Sequence, residues 1–432
     1  MNIISIIETK KNKKPLSEEE IKFFIDGLVN KKNITDYQAT ALLMAIYLNG
    51  LNSDETYYLT KWMLNSGNRL SFNNINGFII DKHSTGGVGD KVSLIIAPLC
   101  AALGINVAKL SGRGLSYTGG TIDKMESIGI DCSFNNKSIP LFKKTKILIS
   151  SQTDDIVPAD KIIYALRNDT STVNSEPLIA ASIASKKLAL KTNHIFIDLK
   201  VGDGSFCKTI NQAISLANTL KRIFNRFKRR FTIHITSMVQ PLGRAIGNAI
   251  EVKEAINFLK GKFETSKLKD LIYDFLIDIL MTSKIAINKK NAIELIDSVI
   301  KNKKAYNCFI DWAVTNVSDK NKLKSFTYFK PRYSLKIISP SSGYISYTST
   351  KKMGMLSNDL GAGRLKKNSK IDWQAGIYLN KIYNEKVKKG EVIATLYSSK
   401  PISSIIKTQF IKNVKIKNTK FNDYKQILKV VK

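Results

Sequence analysis

The sequence predicts an α/β protein with three parts: a discontinuous all-α domain, a large α/β domain with a mixed sheet, and a C-terminal β-rich α/β subdomain. Three observations predict it. The first seventy residues carry helix start signals and no strand-like alternation; from Gly77 short β-rich runs alternate with helical stretches; and across 337–396 short strands and glycines take over.

The helical opening rests on capping signals. Ser17 with Glu20 and Thr35 with Gln38 stand at capping-box spacing, Ser53 is a third N-cap candidate, and Gly50 and Gly67 follow the second and third apolar runs, so three helices are predicted. Strands are expected at 78–80, 105–110, 146–150, 195–199 and 232–235, followed by a helical stretch over 244–317. Residues 158–190 read as helical again, and the simplest packing returns them to the N-terminal helices. The all-α domain is therefore expected over 1–69 and 157–190, the α/β domain over 70–156 and 191–335, and the β-rich part over 336–432. Crossings between the first two can act as hinges.

A chain of 432 residues, 43% hydrophobic, exceeds what one core usually serves. No apolar run reaches the ~18 residues that cross a bilayer, and the N-terminus has no small-residue cleavage site, so the expected compartment is the cytoplasm and no membrane partner is expected. The four cysteines, Cys100, Cys132, Cys207 and Cys308, lie far apart with no C-x-x-C pair, which points to buried free thiols rather than disulfides or zinc. A net charge of +33 would attract nucleic acid, phosphate or acidic metabolites. Most of that charge is lysine scattered among Ile and Asn, as AT-rich coding pressure produces. The densest basic cluster, 221–231, interleaves cations with aromatics, yet its spacing suits a helix end running into a strand, and that reading is preferred. His194 and His234 fall in apolar strand runs, as core or edge residues do.

The chemistry concentrates in two loops. Asp81-Lys82-His83-Ser84-Thr85-Gly86-Gly87-Val88-Gly89-Asp90 follows a strand and opens a helix. Its glycines admit an anion close to the backbone, while helix-start N–H groups and Lys82 supply positive potential: a phosphate cradle. It is neither a Walker A loop nor G-x-G-x-x-G, so neither NTP nor dinucleotide is implied. The next junction repeats the arrangement, with Ser111-Gly112-Arg113-Gly114-Leu115-Ser116-Tyr117-Thr118-Gly119-Gly120-Thr121-Ile122-Asp123-Lys124-Met125-Glu126. Loops at consecutive strand ends converge on the crevice where open α/β sheets bind ligands.

Both loops resemble those of the thymidine and pyrimidine-nucleoside phosphorylases. The similarity continues through Pro158-Ala159-Asp160-Lys161, Lys200-Val201-Gly202, Gln240-Pro241-Leu242-Gly243, Gly247-Asn248-Ala249 and Leu360-Gly361-Ala362-Gly363-Arg364. The resemblance implies an enzyme that uses inorganic phosphate to release a pyrimidine from uridine, thymidine or deoxyuridine, working as a homodimer without metal or organic cofactor. It assigns Lys82, Ser84, Ser93, Ser111 and Thr121 to phosphate, and Arg167, Ser182 and Lys186 to the pyrimidine ring, with His83, Leu115, Tyr164 and Phe206 completing the base pocket. Arg167 and Lys186 would meet the charge growing on the departing base, and His83 would donate a hydrogen bond or a proton. Lys109 matches a lysine of the broad-specificity enzymes, where thymidine-restricted relatives carry Met. The two substrates would face each other across an interdomain cleft that must close.

The chain also departs from the family. Ser116-Tyr117 stands where Gly-His is usual, and Asp203 replaces a small residue, so it must point away from the anion cradle or be neutralised by a lysine. Some members bind a monovalent cation beside the phosphate loop. The matching positions here are Gly89, Leu242, Ala245 and Glu254, with Lys91 in place of a hydroxyl residue; Lys91 either fills that site from within or extends into solvent. Two rivals stand. Anthranilate phosphoribosyltransferase resembles the family in fold but needs a magnesium-pyrophosphate site. A nucleic-acid binder is supported by charge alone, and nucleic acid is not expected as a partner.

Overall fold

The computed structural model describes residues 1–31, 33–114, 119–263, 266–317, 319–364 and 370–432. Among them four helices open the chain, α1 (Ile3–Lys11), α2 (Glu18–Val29), α3 (Asp36–Asn49) and α4 (Ser53–Asn65), one more than the capping signals suggested. The extra helix, α1, has no capping box; it has only Asn2 accepting from Ile4 N, and it is held by burying Ile3 and Ile6 against its neighbours. On α2 the reciprocal Ser17–Glu20 bonds form at 2.8 and 3.2 Å, and at α3 Thr35 N–H donates to Gln38 Oε1 at 3.0 Å. The third cap is Asn52 rather than Ser53. Its side chain accepts from Glu55 N at 2.9 Å and its N–H donates back to Glu55 Oε2 at 2.7 Å.

The chain then builds β1 (Ile79–Ser84), α5 (Val92–Ala102), β2 (Asn106–Ser111), α6 (Thr121–Glu126), α7 (Ser138–Thr145) and β3 (Ile147–Ser151). Helices α8 (Pro158–Asp169) and α9 (Glu176–Ala189) leave the sheet and pack on the opening helices, α8 against α2 and α3 and α9 against α4. β4 (His194–Val201), α10 (Ile210–Arg226) and β5 (Phe231–Ser237) resume the sheet. Next come β6 (Ala245–Gly247), α11 (Ala249–Leu259), α12 (Lys267–Thr282), α13 (Lys289–Lys301), α14 (Lys304–Asn316) and α15 (Lys320–Ser325). The last part holds β7 (Tyr333–Ile338), β8 (Gly343–Tyr347), α16 (Thr350–Asp359), β9 (Gly376–Leu379), β10 (Lys386–Val387), β11 (Val392–Ser398), α17 (Ser404–Lys412), β12 (Val414–Lys417) and β13 (Ile427–Val431).

The main sheet runs β13-β5-β4-β1-β2-β3, parallel except for β13, which returns antiparallel to β5. The chain moves from β1 outward to β3, then comes back to β4 on the other side of β1. The carboxyl ends of β1 and β4 therefore flank a topological switch point, the usual ligand crevice of such sheets. One face of the sheet shares a core with the helical domain, while α5 and α11 to α14 cover the other. β4 is buried along its whole length, as a strand covered on both faces must be.

Two boundaries differ from expectation in ways that matter for the site. β1 does not stop at Ile80 but pairs with β4 through Ser84↔Asp198, so Lys82, His83 and Ser84 sit on rigid strand rather than loop. The stretch after Arg244 opens as a strand: β6 pairs with β9 and ties the α/β domain to the C-terminal sheet β6-β9-β11-β7 before α11 begins. The basic cluster is a helix end and strand start, as preferred. Arg226 pairs with Asp54 at 2.5 Å and stacks on Tyr57, and Arg229 donates to the carbonyls of Leu190 and Thr192. Cys100, Cys132 and Cys207 are buried free thiols, whereas Cys308 is only half-buried. No helix among the described residues is long and apolar enough to cross a membrane.

Candidate active site

The crevice is lined by a buried cluster of charge. Lys82 on β1 and Lys200 on β4 share the Asp198 carboxylate at 3.3 and 2.7 Å, and Thr236 donates to its other oxygen at 2.6 Å. Lys187 on α9 reaches across to Asp81, with both oxygens within 3.1 Å. Lys109 on β2 donates to the carbonyl of Lys82 at 3.0 Å. Four buried lysines thus face the buried carboxylates of Asp81 and Asp198 and the half-buried one of Asp90, an excess of positive charge that favours a bound anion. Burial lowers Lys82 against the pull of Asp198 and Asp90. Lys109 has less help: burial, reinforced by Lys187 and Lys82, brings it down to about 7.

The first loop closes over this cluster. Ser84 Oγ donates to Asp90 Oδ2 at 2.5 Å and accepts from Gly86 N, and Asp90 Oδ1 accepts from Val92 N at the start of α5. Burial pushes Asp90 up, but Lys200, Lys82 and Lys124 outweigh it and hold the carboxyl well below the usual range. Gly89 has φ +77, and a Cβ there would meet Leu242 O at 2.6 Å, so only glycine lets the loop lie against that carbonyl. In the second loop a Cβ on Gly120 would fall 2.2 Å from Gly114 N. Asp123 Oδ2 accepts from both Gly114 N and Gly120 N, and Arg364 of the C-terminal part grips its other oxygen at 2.7 Å.

The expected phosphate ligands therefore meet around one crevice, in different states. Lys82 and Ser84 are engaged by carboxylates, Ser93 is buried in the first turn of α5, and Thr121 opens α6. Ser111 Oγ is buried with no hydrogen-bond partner among the described residues. On the helical side Lys186 Nζ pairs with Asp160 and donates to Ser182 Oγ, 2.8 Å away on the same helix face. Arg167 is buried with no carboxylate partner among the described residues; it donates to the carbonyls of Thr172 and Leu178 at 3.3 Å and to that of Val173, leaving part of its five-donor fork. Burial lowers its guanidinium to about 10. Tyr164, one turn earlier on α8, is partly exposed, and Phe206 packs at the edge of the helical core. Leu115, with Ser116 and Tyr117, lies outside the described residues.

His83 stands between the two sides. Burial, together with Lys187, Lys109, Lys186 and Lys82, holds it well below its ordinary value, so it is a neutral imidazole at pH 7. Asp203 points away from the cradle. Its carboxylate accepts from Ser349 Oγ at 2.7 Å and Lys351 N at 2.8 Å, capping the start of α16. Lys91 does not extend into solvent: its Nζ is buried 2.7 Å from Leu242 O, 3.1 Å from Ala245 O and 3.0 Å from Glu254 Oε2. His194 and His234 are buried structural residues, bonded to Thr232 and Asp278.

Comparison with known proteins accounts for all three parts of the chain. Residues 4–67 match the helical bundle domain of a glycosyl transferase family, 76–306 match its a/b domain, and 344–417 match a pyrimidine nucleoside phosphorylase C-terminal domain. The chain is 49% identical over 419 residues to the thymidine phosphorylase of Mycoplasmoides pirum, covering 96% of this chain and 100% of the relative. The chain belongs to the thymidine and pyrimidine-nucleoside phosphorylase family. A pyrimidine-nucleoside phosphorylase of Staphylococcus epidermidis is 42% identical over 410 residues, 94% of each chain. Among solved structures, the anthranilate phosphoribosyltransferase of Thermus thermophilus superposes with a TM-score of 0.57 at 16% identity, covering 73% of this chain and 99% of that one, a likeness of fold alone. As a member of this family the protein is a nucleoside phosphorylase, a pentosyltransferase.

What sequence reasoning missed are mainly the partners of its cations. Asp160, Asp81, Asp198 and Lys187 were absent from the expected site, and so was Thr85, whose hydroxyl accepts from Lys200 N at 3.0 Å. For Asp81 and Asp198 a signal was available: an aspartate close to a lysine in a mainly apolar strand must be paired if it is buried.

Proposed function

We propose that this enzyme phosphorolyses uridine, thymidine and deoxyuridine to the free base and α-D-ribose or α-D-deoxyribose 1-phosphate, in cytoplasmic nucleoside salvage. The observation that carries the reading is the excess of buried lysine over carboxylate where β1, β2 and β4 end. A dianion relieves that excess. Phosphate held by Lys82 and the hydroxyls of Ser84, Ser93, Ser111 and Thr121 exchanges the Lys82–Asp198 and Ser84–Asp90 contacts for its own oxygens. It then attacks the anomeric carbon from the face opposite the base, which inverts that centre.

As the glycosidic bond breaks, the sugar becomes oxocarbenium-like and negative charge grows on the pyrimidine. Lys186, steered by Asp160 and Ser182, and the spare N–H groups of Arg167 meet that charge. His83 serves as a neutral hydrogen-bond donor, since burial and then its cationic surroundings disfavour an imidazolium. The departing base leaves as an anion stabilised in place and takes its proton from solvent. Tyr164 and Phe206 shape the apolar side of the pocket, and no metal or organic cofactor takes part in the bond exchange. The enzyme works as a homodimer.

The thymidine-restricted reading has one observation in its favour: the Lys109 ammonium is turned to the Lys82 carbonyl, which leaves it fewer donors for a ribose 2′-hydroxyl. Incubation with uridine or thymidine, with and without inorganic phosphate, tests both readings by release of free base. Phosphate-dependent cleavage of both nucleosides is expected. Background rates with uridine beside good thymidine cleavage would leave the restricted enzyme.

A further inference from the structure

A cavity of about 520 Å³ lies away from the crevice, where α11 faces the C-terminal sheet. Its volume is in the range of small-molecule sites, and a seam between domains is where such sites concentrate. One face of α11 forms the floor, with Lys253, Glu254 and Asn257 among its lining residues. Phe263, stacked on Phe258 at 4.1 Å, also lines it, as do Phe329 and Tyr397, whose rings meet edge to face at 5.2 Å.

The charge of this cavity has one sign. Glu254 lines it, but its carboxylate is already taken by Lys91 at 3.0 Å and by the N–H groups of Arg244 and Ala245, both at 2.8 Å. Lys253 and Lys262 also line it and have no carboxylate partner among the described residues; Lys253 has only the Phe329 ring, 6.0 Å from its Nζ. Two lining ammonium groups, that of Lys253 beside the Phe329 ring, with the lining carboxylate neutralised, suit a ligand that is both planar and anionic. Neither half of that ligand alone would use the site. A bare anion gains nothing from the rings, and a neutral ring leaves the lysines solvated.

We propose that this cavity binds a nucleoside monophosphate, with the base against Phe329 and Tyr397 and the phosphate on Lys253 and Lys262. The site is separate from the catalytic crevice and does not depend on the substrates assigned there. It is tested by calorimetric titration of adenosine 5′-monophosphate into the Lys82→Ala enzyme, whose crevice has lost its leading phosphate cation. Saturable binding is expected. Both K253E and F329L should weaken it by about tenfold or more, the scale for losing a charge-assisted or stacking contact. Lys253 is exposed and Phe329 keeps an apolar replacement, so both variants should fold, which circular dichroism checks. No binding to the Lys82→Ala enzyme, binding unchanged in F329L, or inorganic phosphate binding as tightly at this site as the nucleotide would each overturn the proposal.

Discussion

Lys109 donates to the main-chain carbonyl of Lys82 at 3.0 Å, so two lysines that both lean on the same crevice are fixed side by side where neither reaches water. Burial and the neighbouring Lys187 and Lys82 bring Lys109 down to about 7, far below its unfolded value of about 10.4. The sign follows. Between those two values the unfolded chain binds the extra proton, so the phosphate-free enzyme gains stability as pH rises from 7 toward 10. Bound phosphate favours the charged lysine, and binding therefore takes up a proton above pH 7. The KM for phosphate should rise between pH 7 and pH 9 in the wild type, and more steeply than in Lys109→Met, the comparison that removes the titration of phosphate itself. Parallel profiles for the two enzymes would show that Lys109 does not titrate with phosphate binding.

Lys82 is the cation at the heart of the first loop. With Lys82→Ala, Asp198 keeps Lys200 at 2.7 Å, so the fold should persist while phosphate loses its leading contact. Turnover should fall by roughly 10²–10³, the scale for one preorganised charge in a transition state. Wild-type base release should vanish without phosphate; release that continued undiminished would mean hydrolysis.

Asp160 acts through Lys186. One of its oxygens takes the ammonium, and the other is buried with no hydrogen-bond partner among the described residues. With Asp160→Asn the lysine loses its opposing charge, and burial then disfavours its charged form further. The KM for the nucleoside should rise by about tenfold with the KM for phosphate unchanged, as expected for loss of one charge-assisted contact. Equal effects on both would point to a general loss of structure.

The architecture was legible because its signals are local. The Ser17–Glu20 box, the glycine-rich strand ends and the alternation of strands with helices each depend on a few neighbouring residues. The ion pairs were not, because they join residues far apart in sequence: 106 positions separate Asp81 from Lys187 and 116 separate Lys82 from Asp198. The length of β1 was missed for a related reason. Lys82 and Ser84 read as loop residues, yet parallel pairing with β4 overrides their weak strand preference. Asp203, an apparent liability beside an anion site, became intelligible only once α16 was seen to begin at its carboxylate.

An apolar stripe on α3 bears on assembly. Tyr37 and Leu48 are 74% and 71% exposed, Met44 lies between them at helical spacing, and Ile4 of the adjacent α1 is exposed too. A second copy of the chain, as in the proposed homodimer, would bury this stripe. Light scattering should give twice the monomer mass for the wild type and the monomer mass for Leu48→Glu with Tyr37→Glu. A monomeric wild type would remove the homodimer.

Lys91 carries the last prediction. Its ammonium lies among the carbonyls of Leu242 and Ala245 and the carboxylate of Glu254, oxygen donors of the kind that hold a monovalent cation in some family members. Gly89 contributes by lacking a Cβ, which allows the loop to approach the Leu242 carbonyl. An ammonium has one charge and three donors, and three acceptors are within 3.1 Å here, so the side chain satisfies the oxygens without an ion. Removing it would leave a largely buried carboxylate and two carbonyls without their cation, at about 3 kcal/mol, the low end for breaking such a pair because Glu254 keeps two backbone N–H donors. Wild-type activity should be the same in potassium and in a bulky organic cation at equal ionic strength. Lys91→Thr should lose stability and activity in the organic cation and recover both with potassium, which restores the charge the lysine had supplied. A wild type that already requires potassium would rule the tethered cation out, and a Lys91→Thr enzyme indifferent to potassium would show that the oxygens do not form a cation site once the lysine is gone.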